Sequence, residues 1–132
     1  MILLARFVAA SRALGERTTV YVHVYPTLDI LRTAMAAFNG APREQTEDAV
    51  GATQAWTDPH GKILAVVVRL AATHLNLQIV SHEIHHAATA LYGAHREDCQ
   101  TCREDRLDHC NEPFAYLYSD LLTATYARLG CG

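Results

Sequence analysis

The stretch "TTVYVHVYP" alternates Val20, Val22 and Val24 with Tyr21, His23 and Tyr25. That period of two marks a strand with one buried face, and Pro26 closes it. The pattern then changes to a helical one in "TLDILRTAMAAFNG". Leu28, Leu31, Met35 and Phe38 share a face, Thr27 is placed to cap the start, and Gly40 suits a left-handed stop. Further on, "ATQAWT" and "KILAVVVRL" flank the turn cluster "DPHG", which predicts a hairpin. Its second strand, residues 62–70, is the most β-branched segment of the chain. Residues 2–14 are apolar almost throughout, and periodicity alone leaves helix and strand both open there.

A second helix is predicted over residues 76–92, ended by Gly93, with Val80, Ile84, Ala87, Ala88 and Leu91 toward the core. Residues 94–111, "AHREDCQTCREDRLDHCN", are rich in charge and cysteine and read as a long loop. The last helix starts at Asn111 with Pro113 in its first turn, turns Phe114, Leu117, Leu121 and Thr125 inward, and ends near Leu129 and Gly130. The mixture of predicted strands and helices places the chain in the α+β class, and 132 residues fit a single domain over 1–132.

Composition narrows the function. A net charge of −3, with acids and bases mixed along the chain, provides no basic stripe for nucleic acid. The apolar run "ILAVVVRLAA" is bounded by Lys62 and broken by Arg69, well short of the ~20 residues that span a bilayer, so a soluble protein without a membrane partner is expected. Arg6 interrupts the hydrophobic start and disfavours a secretory signal. Four cysteines in a chain with half its residues hydrophobic are expected as free thiols in a reducing, cytoplasmic setting.

The second predicted helix carries the chemistry. In "SHEIHHAATALYG", His82 and His86 stand four residues apart with Glu83 between them. On a helix they differ by about 40° and about 6 Å of rise, so both imidazoles reach one metal ion while Glu83 is turned aside. A carboxyl group beside a zinc ion, not bound to it, can take a proton from a water whose pKa the metal has lowered. The pair lies opposite the apolar face of its helix, where histidines kept for packing would not be. His85 points about 80° away from the middle of the pair and reads as solvated or supporting.

A third protein ligand is required, and the donors downstream are His95, Cys99, Cys102, His109, Cys110 and Glu112. A metzincin would have glycine and histidine where Thr89 and Tyr92 stand, which excludes that class. Packing the apolar face of the last helix beneath the histidine helix would turn Glu112 toward the cleft. "CQTC" with His109 and Cys110 also permits a second, closed metal site.

"HEIHH" followed by "NEPFAYLYSDLL" resembles the small gluzincin-type zinc metallopeptidases, a minimal zincin-like family, over roughly residues 62–129. The resemblance implies a small sheet with an edge strand, a helix with the histidine pair and a C-terminal helix with the third ligand. It further implies that His82, His86 and Glu112 bind Zn2+, that Glu83 is the general base, and that strand 62–70 is the edge facing a peptide or protein substrate. Tyr116 and His109 are the oxyanion donors expected in that mechanism. Tyr116 stands where larger gluzincins have an acid, and the nearest following acid is Asp120. SprT-like zincins, with His95 or His109 as third ligand, are the rival within the metal class. Outside catalysis stand a metal-stabilised binding module and a plain helical interaction domain.

Overall fold

A computed structural model describes residues 3–98 and 112–130. Those residues form an α+β fold in which a four-stranded mixed sheet is packed between helices. The strands are β1 (Ala5–Ser11), β2 (Thr18–Tyr25), β3 (Gly51–Thr57) and β4 (Ile63–Ala71), in the spatial order β1-β2-β4-β3. β1 and β2 form an antiparallel hairpin, β2 runs parallel to β4, and β3 returns antiparallel to β4. The apolar start, open between helix and strand in the sequence, is thus an edge strand.

Three helices complete the fold: α1 (Leu28–Asn39), α2 (Leu77–Asp98) and α3 (Glu112–Leu129). α1 makes the connection between parallel strands possible, because it covers the sheet after β2 and delivers the chain to the far edge. Its ends obey the sequence: the Thr27 hydroxyl accepts from the Ile30 amide at 3.3 Å, and Gly40 takes φ 63°. At α2 the Asn76 side-chain oxygen accepts from the Ile79 amide at 2.9 Å.

The main core lies between the sheet and the pair α2 and α3. Val20, Val22, Val24, Val66, Val68 and Leu70 meet Val80, Ile84, Ala88, Leu117 and Leu121 there, all buried. Burying one such large side chain contributes roughly 1.5–3 kcal/mol, so this cluster dominates stability. On the opposite face Tyr25, Leu31, Ala34 and Ala71 form a smaller cluster under α1.

Two expectations are corrected. Residues 62–70 were expected as the substrate-facing edge, yet β4 is paired on both sides, and its residues 66–71 are buried. A continuous β-branched run is what a central strand needs, since helices cover both of its faces. The edge on that side is β3. The helical stop expected at Gly93 is also absent: α2 runs through it to Asp98, and Gly93 keeps a negative φ. A glycine inside a helix costs only about 1 kcal/mol, which the buried Tyr92 beside it readily offsets. The expected second metal site (Cys99, Cys102, His109, Cys110) lies outside the described residues. No helix among the described residues is long and apolar enough to cross a membrane.

Candidate metal centre

α2 faces the core, α3, β3 and solvent on its four sides, and the histidine motif is divided among them with His82 and His86 on the same side. Ile84, Ala87 and Ala88 are fully buried in the core. His85 meets the rings of Phe114 and Tyr118 edge-on, at 5.7 and 5.6 Å between centroids, so it is a contact between α2 and α3. Glu83 turns toward β3. His82 and His86 point outward between these two neighbours and are exposed.

Their Nε2 atoms are 3.1 Å apart and their rings nearly perpendicular, at 85°. With one ring protonated at Nε2 this is a hydrogen bond. With both Nε2 lone pairs free it is also close to the edge of a metal tetrahedron, since two nitrogens each ~2.0–2.1 Å from zinc lie about 3.3–3.4 Å apart. The separation of the two Nε2 atoms is therefore close to that of two ligands sharing one ion.

Glu83 is 7% exposed. The Thr53 hydroxyl lies 2.8 Å from its Oε1 and 2.9 Å from its backbone carbonyl, and donates its single proton to one of these acceptors at a time. Gly51 makes room for this arrangement. A Cβ there would stand 3.0 Å from Glu83 Cγ and 3.2 Å from Oε2, so the helix approaches the strand over a residue with no side chain. Neither Gly51 nor Thr53 was identified from the sequence. The only signal available was Gly51 opening a strand, which marks a close approach without saying to what.

A cleft of about 440 Å³ follows the unpaired edge of β3 over residues 51–55, with Met35 at one rim and Glu83, His86 and Ala90 at the other. It touches both faces of the strand, so the edge backbone lies within it.

The third ligand does not join the pair in the described conformation. Among the described residues no group of three or more His, Cys, Asp or Glu side chains is arranged to hold a metal ion. Glu112, expected to turn toward the cleft, is exposed. The cause is the phase of α3: Phe114 packs on His85 and Tyr92, and Glu112 sits about 160° around the helix from Phe114. Tyr116, expected as an oxyanion donor, shares the outer side and is 59% exposed. His95 lies about 180° around α2 from His86, a consequence of the helix continuing past Gly93. His109 is outside the described residues. Asp120 accepts from the Ser11 hydroxyl at 2.6 Å and ties α3 to β1, far from any role with the histidines.

Comparison with protein-family models finds no match, and comparison with curated proteins and with solved structures finds none either.

Proposed function

We propose that the chain is a zinc-dependent metallopeptidase of the minimal zincin-like type. The observation that carries this reading is the approach of His82 and His86 Nε2 to 3.1 Å, with His86 and Glu83 at the rim of a cleft along an open strand edge. His82 and His86 are two of the protein ligands. The third ligand in this reading is Glu112, which requires the first turn of α3 to move toward the pair, or alternatively His109, which lies outside the described residues. Zinc, when bound, supplies a Lewis acid that lowers the pKa of water and polarises a carbonyl.

The remaining work falls to the chain itself. An extended peptide pairs with the edge backbone of β3, in place of the β4 edge first expected, which sets its carbonyls beside Glu83. Glu83 accepts the proton of the attacking water and passes it to the leaving amine. Thr53 orients that carboxyl group, and Gly51 keeps the strand close to it.

A metal-stabilised binding module without catalysis is the second reading. It is favoured by the burial of Glu83, whose carboxyl group is already engaged by Thr53. Glu83→Gln separates the two. The metallopeptidase reading expects the variant to keep zinc and lose cleavage of an unfolded protein substrate. If wild type and variant are equally inert while both hold zinc, the binding module stands.

A further inference from the structure

The sheet face opposite the histidine pair is only partly covered by α1. Beyond the end of that cover lies a cavity of about 480 Å³, lined by Arg6, Val8, Tyr21, His23 and Trp56. This volume is in the range of pockets that take small organic ligands.

Strand register explains its chemistry. Arg6 on β1 pairs with His23 on β2, and His23 pairs with Arg69 on β4, so three basic side chains stand in one row across the sheet. Arg69 is 6% exposed and its hydrogen-bond partners are uncharged: it donates to Gln54 Oε1 at 2.7 Å and to the Tyr25 hydroxyl at 2.6 Å, beneath the Phe38 ring. Among the described residues neither Arg6 nor Arg69 forms a salt bridge. Arg69 is buried and stands outside the cavity lining, so its charge acts there only through space, whereas Arg6 is exposed and lines the cavity, where its guanidinium can meet an anion directly. His23 carries the mark of the same field. Burial, then the charges of Arg69 on β4 and Arg6 on β1, hold its pKa below the ordinary histidine range.

The other wall is aromatic. Tyr21 and Trp56 meet edge-on with centroids 6.3 Å apart, and both are 41% exposed. Large aromatic side chains left half open beside Arg6 and His23 are a pairing that suits a flat ring bearing a negative group.

We propose that this cavity binds a small organic anion, a carboxylate or phosphate carried on a flat ring, with Arg6 and His23 on the anionic group and Tyr21 and Trp56 on the ring. Arg69 acts from behind His23 as a fixed positive charge. The site is on the opposite face of the sheet from His82 and His86 and does not depend on their metal.

Trp56 is the chain's single tryptophan, so its fluorescence reports this cavity alone. The full chain is titrated with adenosine monophosphate, benzoate, uncharged adenosine and inorganic phosphate. Saturable changes are expected with adenosine monophosphate or benzoate, and the tighter of the two assigns the anionic group. Adenosine and inorganic phosphate are each expected to bind at least about tenfold more weakly, because each lacks half of the recognised features. Arg6→Ala, at an exposed position where the far-ultraviolet spectrum should stay that of wild type, should weaken binding about tenfold or more, with Arg6→Lys in between. The proposal is overturned if neither ringed anion gives a saturable change at concentrations on the order of 10 mM. Adenosine or inorganic phosphate binding as tightly as the ringed anions overturns it too, as does Arg6→Ala binding like wild type.

Discussion

The two faces of the sheet are built on different principles. Under α2 and α3 the contacts are apolar and continuous, with Val20, Val22, Val66, Val68, Ile84, Leu117 and Leu121 all fully buried. Under α1 the small apolar cluster adjoins a polar network in which Arg69 bonds Gln54 and Tyr25, and Gln54 in turn donates to the Met35 carbonyl at 3.2 Å and to Asn39 at 3.0 Å. The first face supplies the rigidity that fixes α2, and with it the histidine pair. The second face trades packing for hydrogen bonds and stays partly open. The proposed metal pair sits at the rim of a rigid core, whereas the proposed anion cavity sits directly on the sheet.

That contrast predicts unequal responses to substitution. Ile84→Ala, in the apolar face, should cost about 2–5 kcal/mol in denaturant unfolding, since its neighbours cannot collapse onto the space it leaves. A loss below that range would mean α2 is less firmly seated than the burial implies. Gln54→Ala, in the polar face, leaves the Arg69 Nε without its acceptor and should cost about 1.5–3 kcal/mol in the same measurement. Were it neutral, water would be reaching Arg69 and the two faces would be less distinct.

The smallest effect is a pH dependence from His23 on the α1 face. His23 titrates below its ordinary value in the folded chain, so the unfolded chain binds more protons in the window just under that value. The contribution of His23 is therefore fully present above the unfolded pKa of about 6.5 and is lost as the pH falls toward the lower folded pKa. Replacing His23 with Gln should flatten the stability profile in that window. An unchanged profile would assign the dependence to other groups.

Local patterns were readable wherever one face of an element meets one environment. The alternation of β2, the capped helix α1 and the β3–β4 hairpin all follow from residues close in sequence. What could not be read depends on pairing at a distance. A β-branched run such as residues 62–70 tells of burial but not of which strands flank it, so the edge fell to β3 instead. The approach of Thr53 to Glu83 spans 30 positions, and no local signal encodes it. Glu112 shows a different limit. Its helical phase and the side of α3 that meets α2 were both legible, since Phe114 does seat on His85 and Tyr92, but a residue opposite that contact points away from α2 and not into its cleft. Within the histidine motif itself, the spacing alone placed His82 and His86 together and Glu83 aside, as observed.

The central claim is that His82 and His86 hold a metal ion, and metal analysis of the chain purified without a histidine tag tests it most directly. The account predicts one zinc per chain in the wild type, with loss of that zinc in both His82→Ala and His86→Ala. Folded protein without stoichiometric zinc, or zinc that survives both substitutions, would contradict it.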